Sequence, residues 1–235
     1  MTTHKIVSQE EWHQARQEFL AKEKEFTRLR DELSKQRRKL PWTKVEKEYL
    51  FDGPYGQESL SDLFAGKSQL IVYHFMYGPD WDDRGCISCS FWADNFNGID
   101  VHLAARDATL LAVSLAPLEK IEQYKAKMGW KFKWVSSHGS EFNYDYHVSF
   151  TEKSVADGIA TYNYKPQNGT GEAPGISVFY KDEDGTIYHT YSTYSRGLDM
   201  MNGAYHYMDL LPKGRHEADL PWSMAWLNFH DLYED

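Results

Sequence analysis

Apolar residues along this chain change their period near residue 45. Before it they recur every seven positions, at Trp12, Phe19, Phe26, Leu33 and Leu40, with Ala15 and Leu29 on the same face. That repeat predicts one long helix over residues 9–39. Ser8 and Glu11 have the spacing of a capping box, and Pro41 supplies the stop. Lys22 and Gln36 interrupt the stripe, which argues against a long regular coiled coil. The helix is therefore expected to lie across the body of the protein, with a seam to a second copy, a homodimer, as the alternative.

Beyond residue 45 the pattern is that of a mixed domain. A strand is expected over residues 45–51, a turn at 52–56 and a short helical turn at 60–64. Residues 69–76 and 108–115 are continuous apolar runs of strand length, the pattern of strands buried on both faces. Helices are expected over 86–105 and from Pro117 to about 128, since proline favours a helix start. A short strand is expected over 130–137, an aromatic irregular stretch over 142–150, and a loop or insertion over 156–171. Strands at 176–180 and 186–191 flank Asp182-Glu183-Asp184-Gly185, a hairpin signal. A last helix is expected over 197–210. The tail carries Trp222, Trp226, Phe229 and Tyr233, too aromatic to stay unpacked. This order predicts an α/β fold with a mixed central sheet flanked by helices. Residues 1–43 form an added N-terminal arm, and residues 44–235 form the domain.

Charge narrows the partners. The chain of 235 residues carries a formal net charge of −9, which argues against nucleic acid. Residues 1–50 hold 12 Lys and Arg against 9 Asp and Glu; the remainder holds 14 against 26. So weakly basic an arm predicts neither a membrane nor a DNA anchor. The polar N-terminus and the lack of a long apolar run predict a cytoplasmic protein with no membrane partner.

Against that setting the cysteines stand out. There are 2 in the chain, in the phrase Gly85-Cys86-Ile87-Ser88-Cys89. It follows a strand-like run and precedes a helix-like one. A cysteine at such a turn meets free N–H groups and the positive end of the helix dipole, which favour a thiolate. In the cytoplasm a Cys-x-x-Cys pair is expected to be catalytic, redox-sensing or metal-binding rather than a structural staple. Zinc wants four ligands, and His74 and His102 do not complete a known spacing, so no metal and no cofactor are expected. Cys86 is then the nucleophile and Cys89, one helical turn on, the resolving thiol. Trp81 and Trp92 are candidates for the cleft around them, Arg84 for stabilising the thiolate, and Arg196 for thiolate or substrate. His74, in an apolar run, reads as a core histidine.

The phrases Tyr73-His74-Phe75-Met76-Tyr77-Gly78-Pro79-Asp80-Trp81, Cys86 to Asp94, Phe142-Asn143-Tyr144-Asp145 and Pro174-Gly175-Ile176-Ser177-Val178-Phe179 resemble the thioredoxin superfamily. More narrowly, they resemble a bacterial thioredoxin-like family of unknown function, related to the alkyl hydroperoxide reductase and thiol-specific antioxidant group. The resemblance implies a thioredoxin-like fold for the domain. It places Pro174 at the position of the superfamily's cis-proline and Pro79 at the proline seven residues before a peroxidatic cysteine. Two departures accompany it: Gly85 stands where thioredoxins have Trp, and Asp83 where peroxiredoxins have Thr or Ser. Three functions follow as expectations. The first is a thiol–disulfide oxidoreductase acting on a protein or small-molecule disulfide. The second is a thiol peroxidase acting on a hydroperoxide, and either would draw on a reductant the sequence does not identify. The third is a non-catalytic thioredoxin-like binding module.

Overall fold

The computed structural model describes residues 4–234, and the chain divides into two compact units, Met1–Pro41 and Trp42–Asp235. The first is helix α1 (Gln9–Arg37). Ser8 and Glu11 form the expected box: the Glu11 N–H donates to Ser8 Oγ at 3.2 Å and the Ser8 N–H to Glu11 Oε2 at 3.0 Å. No side chain of α1 is buried, and Trp12, Phe19, Phe26 and Leu33 are exposed.

The second unit is built on strands β1 (Thr43–Lys44), β2 (Leu50–Gly53), β3 (Gly56–Ser59), β4 (Gln69–His74), β5 (Ala108–Ser114) and β6 (Lys133–Ser136). The short pieces β7 (Ser149–Phe150), β8 (Thr161–Tyr162), β9 (Lys165–Pro166) and β10 (Gly171–Glu172) follow, then β11 (Gly175–Lys181) and β12 (Ile187–Tyr194). Eight of them form one sheet in the order β1-β12-β11-β4-β5-β6-β2-β3. β4, β5 and β6 run parallel, and β11 returns antiparallel beside β4. The four adjacent strands β12-β11-β4-β5, with a helical crossover after β4 and a hairpin at the end, have the thioredoxin-like arrangement.

Alternation along the strands explains why the sheet is buried on both sides. Tyr73, Ala112, Trp134 and Ile176 enter one core, and Leu70, Val72, Leu111, Val113, Val135 and Phe179 enter the other. A buried polar chain crosses the centre. His74 Nε2 meets Ser177 Oγ at 2.9 Å, which meets Ser192 Oγ at 2.9 Å, which meets His189 Nε2 at 2.7 Å. Burial drives the His74 pKa down to about 3, so the ring is neutral, as a core histidine must be.

Two expected helices are broken. In place of one helix over 86–105, α2 (Ile87–Ala93) and α3 (Asp100–Ala104) are separated by a turn. The Asn95 side chain donates to the Phe91 carbonyl at 2.9 Å and closes α2, and Gly98 takes φ +86°. After α4 (Leu118–Lys127), α5 (Phe142–Asp145) and α6 (Glu152–Ala156), the helix expected over 197–210 is a 3-10 segment, Ser195–Met201, and α7 (Gly203–Met208). Asn202 divides them, its side chain accepting the Tyr205 N–H at 3.1 Å. The expected loop over 156–171 contains the β8–β9 hairpin. Of the tail's aromatics, Trp226 and Phe229 pack against the first core, whereas Trp222 and Tyr233 stay exposed.

Candidate redox site

β4 ends at His74, and the chain then runs through Phe75 and Met76 under the start of α2. Cys86 is the N-cap of α2, with φ −59° and ψ 128°. Its own N–H donates to the Met76 carbonyl at 3.0 Å, and its carbonyl accepts from the Ser90 N–H and Ser90 Oγ, each at 2.9 Å. The backbone is thus held on both sides while the side chain stays partly open. Cys89, one turn on, is 1% exposed. Both thiols are free.

The two sulfurs are electrostatically unequal. Cys86 is lowered to a pKa of about 7, first by the Cys89 side chain, then by the N–H groups of Cys89 and Ser88 and the Ser88 side chain, against the opposing effect of burial. Cys89 is pushed well up by burial first and by Cys86 second. Tyr73 faces Cys89 by its side chain, and the Met76 N–H donates to Cys89 Sγ at 3.5 Å. One thiol is therefore close to ionisation at neutral pH, and its neighbour keeps its proton.

Sterics account for the departure at Gly85. A Cβ there would lie 2.5 Å from Cε1 of Phe75, a buried ring that also contacts Tyr124. The position before Cys86 has no room for any side chain, least of all an indole.

Of the residues singled out in the sequence, Trp92, Pro174 and Arg196 line a cavity of about 350 Å³ together with Cys86 and Cys89. Trp92 donates from Nε1 to the Leu198 carbonyl at 2.8 Å, which fixes the cavity wall. Arg196 lies at the rim and contacts Asp199 at 3.2 Å. Pro174 lines the cavity, but no peptide bond among the described residues is cis, so the Ala173–Pro174 bond is trans and not the cis bond the resemblance implied. Its carbonyl accepts from Tyr162 Oη at 2.8 Å. Pro79 and Trp81 line a different cavity, of about 510 Å³. Arg84 turns away to a two-point ion pair with Asp231, at 2.8 and 2.7 Å, with Phe229 beneath its guanidinium. Asp83 is exposed and bonded to Lys127 at 2.8 Å.

Sequence reasoning missed Tyr73, Met76, Leu198 and Met224, which line the sulfur cavity, as do Tyr162, Ser195 and Asp199. Tyr73 and Met76 were concealed inside a run read as core. Among the described residues no group of three or more His, Cys, Asp or Glu side chains is arranged to hold a metal. No helix among them is long and apolar enough to cross a membrane.

A Cys-x-x-Cys pair at the start of the helix that follows β4, on a thioredoxin-like α/β fold, makes a candidate redox centre. The chain belongs to the family described as bacterial protein of unknown function (DUF899), whose model matches residues 1–233. No curated protein matches it. Among solved structures it is similar to peroxidoxin BcpB from Mycobacterium tuberculosis, at 12% identity and a TM-score of 0.46, covering 69% of this chain and 93% of that one. It is also similar to a cysteine-to-serine mutant of Xylella fastidiosa PrxQ, at 13% identity and a TM-score of 0.45, covering 71% and 95%. A third is a Chlorobium tepidum protein described provisionally as the thiol:disulfide interchange protein DsbE, at 13% identity and a TM-score of 0.39, covering 69% and 93%.

Proposed function

We propose that the protein is a thiol–disulfide oxidoreductase. The observation that carries this reading is the inequality of the two sulfurs: Cys86 is lowered to about 7 at a helix start, and Cys89 is buried and held protonated. Cys86 thiolate attacks one sulfur of a substrate disulfide, forms a mixed disulfide and expels the other sulfur. Cys89 then attacks Cys86 Sγ, closes the internal disulfide and releases the second thiol. Trp92, Leu198, Met224 and Pro174 give the cavity beside the sulfurs a largely apolar wall, which suits a disulfide flanked by apolar groups. A cytoplasmic setting suits the reading, since thiols are kept reduced there.

The peroxidase reading draws less support. Arg84 is committed to Asp231, and Asp83 to Lys127, so neither is free to orient a peroxide at Cys86.

The test is disulfide reduction by the protein and two variants. Cys86→Ser is expected to abolish turnover. Cys89→Ser is expected to stop after one event, with the mixed disulfide visible by intact mass. Full turnover by Cys86→Ser would overturn the reading. Peroxide consumption far faster than that of free thiol would move the assignment to a peroxidase.

A further inference from the structure

Helix α1 carries an apolar stripe that a single copy of the chain leaves open. Trp12, Phe19, Phe26 and Leu33, then Leu40 in the turn after the helix, recur every seventh residue, with Leu29 beside them. All six are between 46% and 66% exposed. Apolar residues scattered on a surface need no account, but a continuous stripe of them marks a contact. α1 has 29 residues and buries none. Helices draw most of their stability from burying such a face, so α1 lacks that support in the single chain. A strict seven-residue repeat is the period of a left-handed two-stranded supercoil.

The charges beside the stripe single out a second copy as its cover. With Trp12, Phe19, Phe26 and Leu33 at the first position of each heptad, the fourth holds Ala15, Lys22, Leu29 and Gln36. One flank of this seam then carries Glu11, Glu18, Glu25 and Glu32, and the other Arg16, Glu23, Arg30 and Arg37. In a parallel, in-register pair, each residue of the first flank meets the one five positions on in the second copy. That sets Glu11 against Arg16, Glu25 against Arg30 and Glu32 against Arg37, each twice by symmetry. Within one copy Glu11 already caps Ser8, and Arg16 holds Glu23 at 2.8 Å, so the other two contacts carry most of the attraction.

The exception is Glu18 against Glu23, and there the seam supplies Lys22. Its side chain enters a hole of the facing helix whose rim includes Glu23, and Glu18 lies one turn back on its own helix. The residue that interrupts the apolar stripe thus stands where two carboxylates need a cation. Gln36, the other polar seam residue, donates from Nε2 to Glu32 Oε1 at 3.2 Å and holds that carboxylate at the edge of the seam. An antiparallel pair would bring Glu18 to Glu32, Arg16 to Arg37 and Glu25 to its own counterpart. Its favourable contacts would be Glu23 with Arg30 and Glu11 with Lys39, which lies beyond the end of α1.

We propose that α1 pairs with α1 of a second copy as a parallel, in-register, two-stranded coiled coil. The helix belongs to the first compact unit and the cysteines to the second, so this pairing stands apart from the chemistry at Cys86.

Sedimentation equilibrium of the full chain with reductant tests it. Wild type is expected at twice the chain mass in the micromolar range. Phe26→Glu places a charge in the seam and should give a monomer; Phe26 is 66% exposed in the single chain, so the change disturbs no core. Glu25→Arg turns two attractive contacts into repulsive ones and should weaken the dimer roughly tenfold. Adding Arg30→Glu to it reverses both members and should restore wild-type affinity. In an antiparallel pair Glu25→Arg would change nothing, since position 25 faces itself, and the added Arg30→Glu would weaken the dimer. Orientation has its own readout: Ala15→Cys, in a chain that also carries Cys86→Ser and Cys89→Ser, should form a covalent dimer on mild oxidation. Antiparallel helices would set position 15 against position 33 and leave that chain uncrosslinked. A wild-type chain still monomeric at about 100 μM, where a micromolar Kd gives mostly dimer, would overturn the proposal. So would a dimer that survives Phe26→Glu, no response to Glu25→Arg, a further loss on adding Arg30→Glu, or no covalent dimer from Ala15→Cys.

Discussion

Arg84 and Asp231 lie 147 residues apart in sequence and meet in a two-point ion pair at 2.8 and 2.7 Å. The pair fastens the C-terminal tail to the loop that leads into Cys86. The same tail supplies Met224 to the cavity beside the sulfurs. It is organised internally by Glu217, whose Oε1 accepts from Tyr205 Oη, the Met224 N–H and Trp226 Nε1 at 3.0, 3.0 and 2.8 Å. What sequence order makes a remote segment, packing makes part of the site.

Loosening that fastening has a defined pH signature. The Arg84 side chain holds the Asp231 carboxyl below its ordinary 3.8. A carboxyl depressed in the fold stabilises it above the ordinary value and ceases to do so as pH falls below it. Asp231→Asn is expected to cost about 1 kcal/mol near neutral pH, the upper end for a partly covered pair, and nothing at the acid end. Hydrogen exchange of amides over residues 224–232 checks it: faster exchange in the variant near pH 7, converging with wild type in acid.

Alkylation should single out one thiol. With Cys86 at about 7 and Cys89 raised, iodoacetamide is expected to label Cys86 with a rate that titrates near pH 7 and to leave Cys89 unmodified in the native protein. Ser88→Ala removes one of the groups that lower Cys86 and should move that midpoint upward. Peptide mapping of the label against pH reads both outcomes.

Gly85→Ala tests the space before Cys86. The added methyl would meet the Phe75 ring, which is 1% exposed and cannot swing into solvent. Overpacking of this kind costs roughly 1–3 kcal/mol. Urea unfolding should show a lower midpoint with an unchanged slope.

Tyr73→Phe tests the second half of the reaction. The Tyr73 side chain hydrogen-bonds Cys89 and favours its thiolate. Removing the hydroxyl should leave the attack by Cys86 unaltered and slow closure of the internal disulfide by about tenfold, the worth of one hydrogen bond to a charged group. Rapid-quench mass measurement of the mixed disulfide should show it accumulating.

Much of this was legible in the chain. β4 and β5 announce themselves because both faces are buried, so Leu70 to Tyr73 and Leu110 to Val113 are apolar without interruption. The capping box of α1 and the turn at Asp182–Gly185 are local and depend on no distant partner. The broken helix after Cys86 was hidden because Asn95 and Gly98 act through a side-chain cap and a positive φ, which apolar periodicity does not register. Arg84 was misread for a different reason: a charge next to a cysteine in sequence is free to turn toward a partner in the tail.

The walls of the sulfur cavity also have an order in time. Synthesis runs from the N-terminus, so Cys86 and Cys89 emerge with β4 well before Pro174, Leu198 and Met224, which enclose them. Until β11 settles beside β4, the buried member of the pair has no shelter and the two sulfurs are ordinary exposed thiols. The difference between the two sulfurs is therefore a property of the finished fold, acquired only when the later segments close over them.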